Sequence, residues 1–397
     1  DGFDDVIFRG QPISVDDSSK NSSATFKGLW TPTASDSVEF QVGLSDSDLG
    51  IGEREYFTRK LSYKYQYANW SRLMNSGNAL QMSLYHNDLD IVDEVTPLFL
   101  SEALGVADTS PYWPLPGLPD KLVIDDRNRA ESERWDIELR SILTPLENLR
   151  AVTGVALRYD SVKGQELFDT PDPLSETSHR MYTNLEWTRS DRLVINAGLI
   201  LEHKDSAGSY FSYRFAGNYQ LQPEHIFRVA LNRSFRSPTL LESRQKQVVR
   251  YNEAIILDAS VISDSEINNE KLRSIEVGYA GYLFDQKVSL DVRLFREQLT
   301  DVINERRSGY PDLDNFVNIR DNTDTLDIDG LEVQALYKPN QQILLRAHYS
   351  YSDIDGETLY TSPPNLEIRD LGVHSLKHGV GVLASYRFDS AITLSAM

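Results

Sequence analysis

Tyr213-Arg-Phe-Ala-Gly-Asn-Tyr-Gln-Leu221 decides how the rest of the chain is read. Tyr213, Phe215, Tyr219 and Leu221 occupy one parity, with Gly217 among them. Arg214, Ala216, Asn218 and Gln220 occupy the other. Extended backbone sends alternate side chains to opposite faces, so such a strand has one greasy face and one wet face. Leu193, Ile195, Ala197, Leu199 and Leu201 repeat the pattern against Asn196, Gly198 and Glu202. Val288, Leu290, Val292 and Leu294 do so against Asp291 and Arg293. Further runs lie at residues 149–159, 275–283, 343–351 and 380–388. Helical spacing does not compete in these windows, and no helical segment is expected anywhere.

The connections alternate as well. Short polar turns are expected at 31–37, 75–78, 144–148, 190–192, 222–225, 284–286, 338–341 and 389–390. Between them come long connections at 87–133, 160–179, 236–269, 304–324 and 352–375, with two short ones near 45–54 and 204–209. The count is about sixteen strands of about 10 residues or more. Long alternating strands, with tight turns at one end and large loops at the other, describe a transmembrane antiparallel β-barrel. Its wet face would carry Arg140, Arg150, Arg158, Arg214, Arg228, Glu276, Arg293, Arg346 and Arg387, too many charges for a packed soluble core.

Composition removes several function classes. The chain has 40 Lys+Arg against 60 Asp+Glu, a net charge of −20, which speaks against binding nucleic acid. It has no cysteine, so it has no disulfide, thiolate metal site or cysteine nucleophile. No stretch approaches the ~18 apolar residues of a membrane helix. Nucleophile elbows, phosphate loops and zinc motifs are absent, so no enzyme activity and no cofactor are expected. The acidic run Asp321-Asn-Thr-Asp-Thr-Leu-Asp-Ile-Asp329 lacks the ligand order of a calcium loop and reads as a solvated strand entry. His374 and His378 are four apart, which does not bring them together on a strand.

Four motifs stand in order. Asn232-Arg-Ser-Phe-Arg-Ser-Pro-Thr-Leu-Leu-Glu242 ends a strand, and Pro238 has no amide hydrogen with which to continue a ladder. Asn269-Glu-Lys-Leu-Arg-Ser-Ile-Glu-Val-Gly278 enters the next strand. Phe295-Arg-Glu-Gln-Leu-Thr-Asp-Val-Ile303 leaves another. Asn318 then precedes Asp329-Gly-Leu-Glu332. Upstream stand Leu185-Glu-Trp187 and Gly198-Leu-Ile-Leu-Glu202. This series resembles the C-terminal half of TonB-dependent outer-membrane receptors, best between residues 133 and 383.

The resemblance implies an energised receptor in the bacterial outer membrane. It would import a scarce large solute, such as a ferric siderophore or similar metal chelate, with energy from the inner-membrane TonB complex. Its partners would be outer-membrane lipid, that small-molecule ligand and TonB. Tyr112, Trp113, Tyr251 and Tyr310 are candidates to stack on the ligand, and Arg214 and Arg236 to meet its negative oxygens. Residues 1–397 are then one partial barrel domain. The plug domain, its TonB-contacting segment, about three first strands and about three last strands of a barrel of about 22 would lie outside it. The alternative is a passive porin-like or adhesin-like barrel, since porins have about 16 to 18 strands.

Overall fold

The computed structural model describes residues 6–8, 11–13, 18–50, 58–74, 77–94, 98–99, 121–122, 129–251, 255–264, 266–309, 316–362, 365–370, 375–388 and 392–397. Among these, nineteen strands join one closed barrel. Three of them, Lys246–Tyr251, Ile255–Ser263 and Asn365–Asp370, belong to loops, because the strands flanking them also pair directly. Sixteen remain as the wall, the number that the alternation predicts. In chain order they are β1 (Ser19–Trp30), β2 (Asp36–Gly50), β3 (Thr58–Leu73), β4 (Ala79–Glu94), β5 (Ala130–Leu146), β6 (Leu149–Lys163), β7 (Leu174–Ser190) and β8 (Leu193–Lys204). There follow β9 (Gly208–Gln222), β10 (His225–Arg236), β11 (Glu270–Leu283), β12 (Val288–Gly309), β13 (Phe316–Tyr337), β14 (Ile343–Ser362), β15 (His378–Arg387) and β16 (Thr393–Ala396).

Register carries one apolar face around the wall. Leu199 stands opposite Tyr213, Phe215 opposite Leu231, Leu231 opposite Ile275, Val277 opposite Leu294, and Leu294 opposite Leu331. Leu193, Ile195, Val288, Leu290 and Val292 fall on the same face. Its side chains are bare; Phe215 is 52% exposed and Leu294 54%. A bare apolar belt belongs against hydrocarbon, so this is the outer face. Trp30, Trp70, Trp187, Tyr219, Phe227, Tyr337 and Tyr386 lie on it toward the short-turn end. Rings with one dry side and one wet side settle at that depth of a membrane.

Asn196, Glu202, Arg214, Asn218, Asp291 and Arg293 share the opposite, lumenal face. Charges there are paired with partners on the next strand or the next but one. Arg293 reaches Glu276 at 2.9 Å and Glu332 at 3.4 Å, and Arg228 reaches Asp291 at 2.6 Å. Arg158 meets Asp136 at 2.9 Å, and Arg59 meets Asp93 at 2.6 Å. Two glycines let rings lie flat against this wall: a Cβ at Gly43 would sit 2.2 Å from the Tyr65 ring, and one at Gly154 2.6 Å from that of Tyr182.

Two sequence expectations need correction. Loops were expected from residues 87, 304 and 352, but β4 continues to Glu94, β12 to Gly309 and β14 to Ser362. Polar residues that look like loop in sequence keep a ladder going above the membrane by pairing across it. Helix is also present: α1 (Gln165–Phe168) and α2 (Leu240–Arg244).

Face assignment yields a test. Leu290→Arg should cost about 2–4 kcal/mol of folding free energy if residue 290 lies near the midplane. Asp291→Asn forfeits one half-exposed ion pair to Arg228 and should cost under about 1 kcal/mol. Folding titrations into lipid vesicles measure both; equal penalties would mean that the faces are exchanged.

Candidate functional site

The long-loop end is built on β10. Its ladder to β11 ends at Arg236–Glu270, and Pro238 follows where the amide hydrogen runs out. Thr239 then caps α2. Its hydroxyl accepts from the Glu242 amide at 3.1 Å, while the Glu242 carboxylate accepts from the Thr239 amide at 2.8 Å. This reciprocal capping box satisfies two amides at the start of a helix too short to stand alone. Arg236 grips the same Glu242 at 2.8 Å and Glu270 at 2.5 Å, tying the helix to the strand ends.

Below α2, the Pro238 ring is fully buried and its carbonyl accepts from Lys204 Nζ at 2.6 Å. Lys204 also meets Glu176 at 2.8 Å, and the Ser206 hydroxyl donates to Glu176 at 2.6 Å. A buried ammonium and carboxylate are tolerable only with such additional partners. The cluster fastens the root of the 237–269 loop to β7 and β8.

The same loop leans on the tall β12–β13 hairpin. Its strand Ile255–Ser263 runs parallel to β13, with Val261, Ile262 and Ser263 opposite Asn318, Ile319 and Arg320. Val248 and Val317 are buried together, with Ile262 and Ile319 packed on them. Arg320 donates to Gln245 Oε1 at 2.6 Å and forms an ion pair with Glu305. Asn322 receives the Asn268 amide at 2.6 Å and donates to the Asp301 carbonyl at 2.6 Å. Lys246 reaches Asp169 at 2.8 Å, joining the loop that carries α1. Among the described residues, the 237–269 loop, the α1 loop and the β12–β13 hairpin are therefore one propped assembly.

The proposed ligand contacts fall unevenly in it. Arg236 is at the mouth but already holds two carboxylates. Arg214 stands on the lumenal face of β9, exposed, opposite Gly198 and Asn232. Tyr251 ends a loop strand, its backbone opposite Ile255. Tyr112, Trp113 and Tyr310 lie outside the described residues. The acidic run 321–329 is strand, with Asp321 paired to Arg306 at 2.5 Å and buried Asp324 accepting from Asn304 at 2.6 Å. No cluster of three metal-binding side chains occurs among the described residues. Sequence reading missed the Lys204–Glu176 pair, whose partners are distant in the chain. It also missed α2, which Thr239-Leu-Leu-Glu242 does signal.

A wall of this parity beneath a propped mouth has known relatives. A family model described as TonB dependent receptor-like, beta-barrel, matches residues 3–377. This chain belongs to that family. Its barrels are outer-membrane proteins. The siderophore receptor PirA of Pseudomonas aeruginosa is similar in fold, with a TM-score of 0.66 at 13% identity. So are the copper transporter OprC (0.62, 14%) and the FrpB iron transporter of Neisseria meningitidis (0.62, 13%). The match covers 95%, 97% and 95% of this chain, but 66%, 66% and 58% of theirs. No curated protein sequence matches it.

Burial raises the Glu242 pKa, but the Arg236 guanidinium and the Thr239 donors outweigh it and hold the carboxyl below its ordinary value. Its contribution to anchoring α2 should then be complete above about pH 4.3. It should be lost as pH falls through the lower folded value. Hydrogen exchange at the Ser243 and Gln245 amides, which bond back to Thr239 and Leu241, reads this directly. Glu242→Gln should show reduced protection already at neutral pH, and Thr239→Ala should cost about 1 kcal/mol.

Proposed function

We propose that the chain is the barrel of a TonB-dependent receptor that binds and imports a scarce metal chelate, such as a ferric siderophore. The propped mouth carries this reading: the 237–269 loop, the α1 loop and the β12–β13 hairpin join above a charged lumen, as capture of a solute too large for a simple pore requires. Fold neighbours described as a siderophore receptor, a copper transporter and an iron transporter support metal cargo. Arg214 would meet the ligand's negative oxygens from the lumen. Tyr112, Trp113, Tyr251 and Tyr310 would supply stacking surface at the mouth, and Arg236 would shape it. The inner-membrane TonB complex would supply energy, and the protein would sit in outer-membrane lipid. It is proposed to act as a transporter and not as an enzyme.

Sixteen wall strands also suit a passive porin, and energisation separates the two readings. Uptake of a labelled ferric siderophore should stop when the inner membrane is de-energised; uptake that continues supports the pore. Removing residues 237–268 should abolish high-affinity uptake and leave a heat-modifiable barrel, because β10 and β11 pair along their full length without that loop. Transport at the unaltered rate would exclude the loop from capture.

A further inference from the structure

The outer face carries a feature that transport does not use. On β10 and β11, just above the apolar belt residues Leu231 and Ile275, Arg233 stands directly opposite Arg273. Like charges paired across strands are unfavourable. The next pair up, Phe235 and Lys271, adds a third cation, which Asp301 holds at 2.6 Å. Arg233 lies over the rings of Phe211, at 5.1 Å, and Phe235, at 4.8 Å. Its Nε is buried without a hydrogen-bond partner. Among the described residues no carboxylate pairs with Arg233 or Arg273. Three positive side chains are thus gathered on the outside of the wall, at the depth where lipid headgroups begin.

Two cavities meet there. One, of about 600 Å³, is largely polar and includes Arg233, Phe235, Lys271, Asn268 and the loop residue Glu266. The other, of about 940 Å³, is an apolar groove along the outer face, past Leu139, Val155, Leu157, Met181 and Leu201. Ser209, Tyr210 and Phe211 border both. A greasy groove that opens into a cationic pocket has the shape and polarity of a lipid with one charged end.

We infer that this face holds a phosphate-bearing acyl lipid of the outer leaflet. Its phosphate lies at Arg233, Arg273 and Lys271, and a chain lies in the groove over β5 to β9. The inference rests on the outward orientation of this face and not on the transported ligand. The phosphate would relieve the Arg233–Arg273 repulsion and give the buried Nε an acceptor. Each cation near a membrane surface strengthens binding of an anionic lipid by about fivefold.

Native mass spectrometry of the detergent-solubilised protein tests this with phosphatidylglycerol and phosphatidylcholine as probes. The unaltered protein should retain phosphatidylglycerol preferentially. Arg233→Gln with Lys271→Gln should weaken that preference by about fivefold for each charge removed. Arg72→Gln, at the other edge of the outer face, should leave it unchanged. Val155→Trp fills the groove with another apolar side chain and should reduce retention of both lipids while leaving the barrel folded. An unchanged preference in the double variant overturns the site. Displacement of phosphatidylglycerol by millimolar inorganic phosphate would show a soluble-anion pocket and would overturn the lipid assignment. Full retention in Val155→Trp would remove the groove from it.

Discussion

Every peptide group that enters hydrocarbon must find its hydrogen-bond partner within the protein. For a chain of strands this leaves closure as the solution, and the rest of the molecule is arranged around it. Antiparallel neighbours along the ladder keep parity in step, so one apolar face continues from strand to strand. Turns at one end are tight because they only reverse the chain. The structure of the other end is free to become large because the ladder beneath it is complete.

Closure also creates an interior that is neither solvent nor core. Its charges are held mainly in pairs, such as Arg158 with Asp136 on adjacent strands and Arg228 with Asp291 across β11. Such pairing keeps these side chains against the wall, and the glycines under Tyr65 and Tyr182 let those rings lie on it. At the mouth the same vocabulary changes role. Ion pairs there join segments far apart in sequence, and they give shape to loops that have little apolar surface to bury.

The wall was legible because its signal is local and repeated. Alternation of Tyr213 with Arg214, or of Leu290 with Asp291, reports both strand and face without knowledge of any partner. The upper hairpins were less legible because Arg306, Asp321 and Asn304 look like loop until they are seen opposite one another. Helix α2 is signalled by four consecutive residues, yet a single turn lacks the apolar periodicity that usually identifies a helix. The burial of Lys204 depends on the Pro238 carbonyl, 34 residues away, and Arg320 finds Gln245 across 75 residues. No local pattern encodes such meetings. The candidate site is built from such meetings, so its geometry is the part that sequence alone does not give.

The direct pairing of β10 with β11 beneath the 237–269 loop has an evolutionary consequence. An insertion between strands that already touch is thermodynamically inexpensive to vary: doubling its length adds only about 0.6 kcal/mol of closure entropy. The wall answers to the lipid, and its register tolerates no slip, whereas the segment above answers only to its props on β7, β8 and β13. Selection can therefore rewrite the crown while the ladder stays in place, and descendants of one such barrel could differ above the membrane while sharing a common wall.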